Sequence, residues 1–296
     1  NGVYENLKEH IRTIQYAALT NKPFEPNVPH HFAFRGADDV TYIVSAYLAA
    51  MTAKKNGIKH LILQNMLNTP KYTWNIADLA KSRAMLELVK SLEDDNFRVI
   101  LQTRAGLDYF SPDPEKAKIQ LGAVTALMDD IQPQDHHSPE IIHVVSYSEG
   151  YGLADPQVIN ESIKITLHTL QEYRKLKKTV SVMKEFGLSE IDRRKDSLLQ
   201  SAKKIISTMQ ENIPNLYSVS GLYTAFACGF LPVPYLYLRK EEFEYARAVK
   251  TKIMNGSVVK TDEYGNTMTD EQFLDYAKSN ISKIQIQSLM RWGDNF

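Results

Sequence analysis

The sequence predicts an α/β fold in which strands and helices alternate along the chain. Runs of apolar and β-branched residues, typical of buried strands, are followed by segments with a helical period of apolar residues. Polar residues and helix-start signals lie between these runs. Such alternation favours a parallel sheet with right-handed crossovers. We expect about four strand–helix units in residues 1–178 and a helical region with a hairpin-like tail in residues 179–296.

The four units follow one plan. A first helix is expected over residues 4–20. The predicted strands, each with the helix that follows it, are 31–35 with 40–57, 58–64 with 75–92, 97–103 with 113–128, and 141–145 with 156–170. Asn75 and Asp78 resemble a capping box. Asp113 before Pro114 is a typical helix start, because proline lacks the N–H that would be unpaired at the first helical position.

The fourth unit contains the most informative loop. Its strand is followed by Glu149, and then by Gly150 and Gly152, which let the backbone turn tightly. Asp155 offers a carboxylate that caps the next helix. The apolar face of that helix is expected to carry Ile159, Ile163, Leu167 and Leu170. A dinucleotide-binding fingerprint would need a third glycine where the chain has Asp155, which argues against a nicotinamide site.

The C-terminal region is predicted to be mainly helical. A charged connection, residues 184–195, leads to a helix that includes Leu198–Met209, and a short helix is expected over Gly221–Phe230. Leu231–Tyr235 is too rich in proline for a central strand. Ser257–Thr269 is expected to form a hairpin or an exposed loop.

Composition excludes several classes of protein. The chain has 296 residues, 43% of them hydrophobic, which supports a substantial core. Lysine plus arginine equals aspartate plus glutamate at 35 each, so no overall charge favours nucleic acid or an anionic membrane. No apolar run is long enough for a membrane span. The single cysteine, Cys228, rules out a disulfide framework, and we expect a cytoplasmic protein.

Seven polar residues fall at or just past the ends of the predicted strands. They are Arg35, Gln64, Asn65, Gln102, Arg104, Tyr147 and Glu149. The carboxyl ends of parallel strands meet on one side of the sheet, where α/β folds bind ligands. We therefore expect a shared site that holds a ligand by hydrogen bonds and one or two cationic contacts, without a metal. Asp135–His137 lacks further ligands at helical spacing, and a solvated connection is expected there.

Two segments of the chain are similar to a known family. Ser148–Thr166 resembles the His-Glu-Ala-Ile-Gly-Ile-Pro stretch and following helix in the catalytic (epsilon) subunit of coenzyme-B12-dependent glutamate mutase, also called methylaspartate mutase. Gly221–Tyr235 resembles that family's helix, glycine and Ile-Pro or Val-Pro turn. Leu101–Gly106 lies where the family has a His-Gln-Trp loop. The resemblance is colinear over nearly all of the chain.

The resemblance implies a TIM barrel that receives adenosylcobalamin, carried mainly by a small cobalamin-binding subunit. Glu149 matches the glutamate that holds the ribose of the adenosyl group, and Gln102 matches a glutamine of the family. We expect Gln64 and Asn65 to bind the cofactor with them. The chain lacks the Asp-x-His-x-x-Gly signature of the cobalamin-ligating domain, so the corrin would need that partner.

Substrate binding is expected from Arg35, Arg104 and Tyr147. An arginine suits the capture of a carboxylate, and a tyrosine hydroxyl can hold a neutral polar atom. The chain departs from the family in three ways. Leu101 replaces a histidine, Val145 replaces a lysine, and the four units correspond to the second half of the barrel only. The family's substrate-binding arginines, which come from the first half, therefore cannot be carried over.

Four units leave two open sheet edges, which barrels avoid by closing. We therefore expect that the chain lacks an N-terminal half, or that a second chain completes the barrel. The expected function is the barrel component of an isomerase, an adenosylcobalamin-dependent mutase that rearranges a small amino or carboxylic acid. A cofactor-independent TIM-barrel lyase or aldolase and a non-catalytic mutase-like scaffold are the alternatives.

Overall fold

A computed structural model describes residues 2–73, 76–179, 188–233, 236 and 241–293. Its helices are α1 Val3–Thr20, α2 Val28–His31, α3 Asp39–Lys55, α4 Ile76–Lys90, α5 Pro114–Asp129, α6 Pro156–Thr179, α7 Leu188–Asn212, α8 Val219–Ala227, α9 Glu244–Ala248, α10 Asp270–Lys278 and α11 Ile281–Trp292. Its strands are β1 His60–Leu67, β2 Arg98–Ala105, β3 Ile141–His143, β4 Lys250–Met254 and β5 Ser257–Thr261, and a 3-10 helix spans Tyr147–Gly150.

The fold is α/β, as predicted, and is centred on a parallel sheet. Its strands lie in the order β1, β2, β3, with β2 in the middle. On the other side of β1, Phe24 forms a single parallel bridge to Leu61. Its backbone N–H donates to His60 O (2.9 Å), and its carbonyl accepts from Ile62 N (2.8 Å). The described sheet is therefore a three-stranded sheet with a fourth position held by one residue.

The predicted first strand, residues 31–35, is wrong. The chain forms α2 there, followed by turns in which Phe34 N donates to Pro29 O and Gly36 N to Ala33 O, both at 2.9 Å. Pro29 lies in the first turn of α2, where a proline costs no hydrogen bond. A short apolar run does not by itself distinguish a helix from a strand, and Pro29, just before the run, favours the helix.

The three strands of the parallel sheet end at residues that differ from the predicted ones. β1 continues to Leu67 and β2 to Ala105, so the four predicted site residues of these units lie within the strands rather than past them. These residues are Gln64, Asn65, Gln102 and Arg104. β3, in contrast, stops at His143, and its two isoleucines are only half-buried. The prediction of a buried fourth strand is therefore wrong, because β3 pairs with β2 alone among the described strands.

Most predicted helices are confirmed, and so are two of their caps. Asp113 accepts hydrogen bonds from Glu115 N (3.0 Å) and Lys116 N (3.3 Å) at the start of α5. Asp155 accepts from Val158 N (2.8 Å) at the start of α6. The capping partner Asn75 lies outside the described residues. None of the described helices has the length and apolar content needed to cross a bilayer.

The apolar stripe of α6 does not face the core. Ile159, Ile163 and Leu167 are exposed, whereas Ser162 and Thr166 are buried. Leu170 is half-buried. The predicted apolar face is present, but it is not the buried face of the helix.

The C-terminal region packs against the outside of the α/β layer. α7 lies along α3 and α4, α10 contacts α7, and α8 lies between α1 and α11. The hairpin has its turn at Asn255–Gly256, whose φ angles of 52° and 75° match the type I′ geometry that Asn-Gly favours. Around Tyr264 the chain instead forms an exposed turn, closed by Asp262, whose Oδ1 accepts from Asn266 N (2.8 Å). Pro234 and Tyr235 lie outside the described residues, as do residues 184–187 of the predicted connection.

Charged side chains anchor this hairpin and α7. We call the buried ion network the set Asp38, Asp39, Asp78, Lys81, Arg194 and Lys260. Its short contacts join Lys260 Nζ to Asp38 Oδ1 (2.8 Å), Arg194 Nη2 to Asp39 Oδ2 (2.7 Å) and Lys81 Nζ to Asp78 Oδ1 (2.8 Å). Three carboxylates balance three cations, which limits the cost of burying them. Burial acts to lower the pKa of Lys81, but Asp78 and Asp39 hold it above its ordinary value.

Candidate functional site

The register of the sheet brings predicted site residues together on one face. Gln64 lies opposite Gln102, and Arg104 lies opposite His143 on β3. Side chains two residues apart in a strand share a face, so Gln102 and Arg104 point the same way. We call this side of the sheet the inner face. The strand-face cluster is Glu25, His30, Gln64, Gln102, Arg104 and His143.

The chain between Phe24 and α2 completes the cluster. The bridge at Phe24 places Glu25 beside β1, and Gln64 Nε2 donates a hydrogen bond to Glu25 Oε1. Five residues after Glu25, in α2, His30 Nδ1 is hydrogen-bonded to Asn27 Oδ1. The charge of Arg104 influences both His30 and His143, so these two side chains lie near Arg104 at the carboxyl end of the sheet.

Two buried amide atoms of the cluster have no partner within the described ranges. Gln64 and Gln102 are both buried, yet Gln64 Oε1 and Gln102 Nε2 make no hydrogen bond to the described residues. A buried polar atom without a partner costs about 1–3 kcal/mol, so such atoms commonly serve a ligand or water. The pair offers one acceptor and one donor next to the buried guanidinium of Arg104.

The cluster and its neighbour Glu149 include both positively and negatively charged groups. Burial lowers the pKa of Arg104, and the carboxylates of Glu149 and then Glu25 oppose that shift, so the guanidinium stays charged at neutral pH. Burial and the charge of Arg104 hold the pKa of His30 and of His143 below the ordinary value. The two imidazoles of the cluster are therefore neutral at neutral pH, and they lie near the guanidinium of Arg104.

Close packing of the strand–helix loops positions Glu149. A Cβ atom at Gly106 would lie 2.7 Å from Asn68 O in the preceding loop. At Gly150 it would lie 2.6 Å from both Phe110 O and Ser111 O. Only glycine permits these approaches, so the three loops lie side by side at the carboxyl end of the sheet. Glu149 is exposed there, near enough to Arg104 to influence its pKa.

Tyr147 lies between α5 and α6 rather than in the cluster. Its hydroxyl donates to Glu161 Oε2 on α6 (2.5 Å), and Lys118 Nζ on α5 lies 5.2 Å from its ring centroid. The hydrogen bond to Glu161 is the largest of the causes that raise the pKa of Tyr147 to about 12. These contacts hold the side chain in a helix–helix interface, so we leave Tyr147 out of the candidate site.

Of two further predicted residues, Asn65 lies apart from the cluster and Arg35 lies at its margin. Asn65 is on the opposite face of β1, where its Oδ1 accepts from Ser82 Oγ of α4 (3.1 Å). Arg35 is exposed in the turns after α2. Burial is the largest of the causes that lower the pKa of His31 and of His30, and the charge of Arg35 adds to both shifts. The structure thus brings together Gln64, Gln102, Arg104 and Glu149.

The sequence interpretation missed Glu25, His30 and His143. His143 follows Ile141 by two residues in β3, so an exact strand register would have placed it beside Arg104. Glu25 and His30 carried no such signal, because a one-residue bridge and a four-residue helix have no recognisable pattern.

The described residues contain no group of three His, Cys, Asp or Glu side chains arranged to hold a metal ion. A scan against models of known protein families found no match, and a search of curated proteins found none either. A function for this chain is therefore inferred from the strand-face cluster and the loop that carries Glu149.

Proposed function

We propose that the chain is the barrel component of an adenosylcobalamin-dependent mutase that acts on a small amino or carboxylic acid. The observation that carries this proposal is the buried guanidinium of Arg104 beside the unpartnered amides of Gln64 and Gln102, with Glu149 in the adjoining loop. An arginine, an amide donor and an amide acceptor together suit a carboxylate-bearing ligand with a further polar group.

The order of the strands supports a TIM-barrel architecture. From Phe24 through β1 and β2 to β3, each element lies beside the one that precedes it in the chain. The order does not reverse, as it does in doubly wound sheets. Asn65 faces α4 while Gln64 faces the opposite way, so the polar residues lie on the side away from that helix. In a barrel that side is the interior, and its carboxyl end is where ligands bind.

Each residue of the site would contribute by binding and orientation. Arg104 would pair with one substrate carboxylate, and Gln102 Nε2 would donate to a second polar oxygen of the substrate. Glu149 would accept hydrogen bonds from the two ribose hydroxyls of the adenosyl group. Its exposed carboxylate, near enough to Arg104 to influence the pKa of that side chain, suits those hydroxyls. The cofactor supplies radical chemistry when bound, whereas the protein excludes water and fixes the geometry.

The corrin ring would be held mainly by a small partner subunit, since this chain lacks a cobalamin-ligating signature. A cytoplasmic location, inferred from the single cysteine, remains part of the proposal. The predicted roles of Arg35, Asn65 and Tyr147 remain predictions, and none of them enters the proposed site.

The two neutral imidazoles favour a second candidate, a cofactor-independent lyase or aldolase. A histidine whose pKa lies below its ordinary value is a proton acceptor at neutral pH. His30 and His143 both meet this condition beside Arg104. A substrate carboxylate on Arg104 would then lie close to a general base.

Calorimetric titration with two kinds of probe separates these functions. The mutase predicts binding of succinate and tighter binding of adenosylcobalamin than of hydroxocobalamin, which has no adenosyl group. The lyase or aldolase predicts succinate binding without a preference between the corrinoids. A chain that binds none of the three would be a scaffold, and both enzymatic proposals would then be wrong. Arg104→Gln should abolish succinate binding, whereas Arg98→Gln, an exposed change at the start of the same strand, should not.

A further inference from the structure

The two residues that follow β1, Asn68 and Thr69, lie beside the end of β2 that carries Arg104. Gly106, two residues after Arg104, donates its N–H to Leu67 O (2.7 Å). A Cβ atom at Gly106 would lie 2.7 Å from Asn68 O and 2.9 Å from Thr69 Cβ. The backbone of these two residues is therefore packed against the loop after β2, and its position bears on the position of Arg104.

The same two residues carry buried polar atoms that are available to a ligand. Asn68 Oδ1 and Thr69 Oγ1 are buried and form no hydrogen bond to the described residues. Such atoms commonly serve a ligand or water. The segment Asn68–Thr69 thus belongs to the carboxyl end of the sheet by its position and by its chemistry.

Two charged side chains of α4 hold this segment in place. Asn68 has a φ angle of 55°, in the left-handed region that residues other than glycine seldom adopt. Its N–H donates to Asp78 Oδ2 (2.5 Å). Lys81 Nζ pairs with Asp78 Oδ1 (2.8 Å) and donates to Thr69 O (3.3 Å). Asp78 and Lys81 are both buried, so these contacts are shielded from water.

Lys81 lies between two carboxylates and is bound closely by only one of them. Asp39 Oδ1 is 3.9 Å from Lys81 Nζ, whereas Asp78 Oδ1 is at 2.8 Å. Asp39 pairs instead with Arg194 Nη2 of α7 at 2.7 Å. Without Arg194, the buried Asp39 would keep only a long hydrogen bond from Val258 N (3.4 Å) and the contact with Lys81. A buried carboxylate that loses its partner attracts the nearest cation strongly.

We infer that Arg194 is a positioning residue for the candidate site, because its pairing with Asp39 leaves Lys81 free to hold Asn68–Thr69. Loss of the guanidinium would turn Asp39 into a competitor for Lys81 Nζ. The ammonium would then move toward Asp39 and away from Asp78 and Thr69 O. The C-terminal region thereby helps to set the shape of the carboxyl end of β1. The inference rests on these contacts and not on the proposed activity.

Hydrogen exchange of the Asn68 amide, measured by NMR on the full chain, tests the inference. The amides of β2 serve as the reference for global unfolding. Arg194→Met removes the charge and keeps most of the side-chain length. We expect the Asn68 amide to exchange about tenfold faster in this variant than in the wild type, after correction for the change in the β2 amides.

A neighbouring residue on α7 provides the matched control. Lys195 also pairs with a carboxylate of α4, since its Nζ lies 2.8 Å from Glu87 Oε2, but this pair is outside the buried ion network. Lys195→Met should leave the exchange of the Asn68 amide, relative to that of the β2 amides, as it is in the wild type.

A double variant separates competition for Lys81 from a simple loss of packing. Arg194→Met combined with Asp39→Asn removes the competing carboxylate as well, so the slow exchange of the Asn68 amide should return. Arg194→Lys, which retains a cation, should preserve it too. A role of Arg194 in packing alone predicts no recovery in the double variant.

Unchanged exchange of the Asn68 amide in Arg194→Met, or equally fast exchange in the double variant, would overturn the inference. If Arg194→Met does not fold, Asp39→Asn alone decides the matter. Slow exchange is expected there, and fast exchange would show that Asp39 itself holds the segment. The measurement needs no ligand, so its failure is distinguishable from failure of the proposed function.

Discussion

Gln64 and Gln102 lie directly opposite each other on β1 and β2, both buried, and each retains an amide atom without a partner among the described residues. Gln64 Nε2 donates to Glu25, whereas Gln64 Oε1 and Gln102 Nε2 form no hydrogen bond with each other. This acceptor and this donor are therefore available to a ligand on the inner face.

Replacing Gln102 tests whether its donor serves a ligand. Gln102→Leu removes an unpartnered buried amide, so we expect the free energy of unfolding to stay within about 1 kcal/mol of the wild type or to rise. Succinate binding should weaken about tenfold. Urea denaturation and calorimetry measure the two effects.

Gln120→Leu is the control for that change. Both polar atoms of the Gln120 amide are hydrogen-bonded, because Oε1 accepts from Ser111 N (2.7 Å) and Nε2 donates to Tyr109 O (3.1 Å). Its loss should lower the free energy of unfolding by about 1–3 kcal/mol. If both variants lose the same stability, the Gln102 amide has a structural partner and is not a ligand group.

Anion binding is expected to strengthen as the pH falls. His30 and His143 have pKa values below about 6.5, so they gain charge only in acid, and each new cation near Arg104 attracts an anion. Sulfate, whose charge is constant in this range, should bind several-fold more tightly at about pH 5.5 than at about pH 7.5. The double variant His30→Gln, His143→Gln should lose this dependence, and His168→Gln, on the exposed side of α6, should keep it.

The same two histidines should make the protein less stable as the pH falls. Because their pKa values are lowered in the folded state, the unfolded chain binds more protons below about pH 6.5. Their contribution to the free energy of unfolding should therefore fall as the pH drops through and below that value. Thermal melting of the wild type and the double variant across this range measures the difference.

The two glycines of the loop after β3 should respond differently to alanine. A Cβ at Gly150 would lie 2.6 Å from two carbonyl oxygens, whereas nothing lies within 4 Å of one at Gly152. Gly150→Ala should cost about 1–3 kcal/mol of unfolding free energy and displace Glu149. Gly152→Ala should leave the melting temperature nearly unchanged. Equal effects would contradict the close packing of these loops.

The buried ion network should depend strongly on each of its members. Lys260→Met leaves Asp38 buried without its 2.8 Å partner, which should lower the free energy of unfolding by about 3–5 kcal/mol. Glu9→Gln breaks an equally short but exposed pair with Arg12 and should cost less than about 1 kcal/mol. Denaturant unfolding of both variants checks the contrast, and a loss below about 1 kcal/mol for Lys260→Met would contradict it.

Local signals predicted the helices well because they act within a few residues. The carboxylate of Asp113 and the ring of Pro114 specify a helix start wherever they occur, and the structure has it there. The hairpin is an exception. Asn255–Gly256 is a strong type I′ signal, but the hairpin is predicted over Ser257–Thr269, whereas the structure has its turn at Asn255–Gly256, before β5.

Long-range features could not be predicted from local pattern. Gln64 and Asn65 interrupt an apolar run that resumes at Met66, and only pairing with β2 shows that the strand continues through them. The row on α6 was correctly identified as apolar, but periodicity does not reveal whether a neighbour covers it. Glu25 joins the site through a single bridge at Phe24, which has no sequence pattern.

The most direct test of the proposed function compares adenosylcobalamin with hydroxocobalamin in wild type and in Glu149→Gln. A carboxylate that accepts from two ribose hydroxyls makes charge-assisted hydrogen bonds, each worth about 1.5–3 kcal/mol. Glu211→Gln, an exposed change on α7, is the control. We predict that Glu149→Gln weakens adenosylcobalamin binding about tenfold to a hundredfold and leaves hydroxocobalamin binding unchanged. Equal weakening of both corrinoids, or of neither, would contradict the role of Glu149 and the mutase proposal with it.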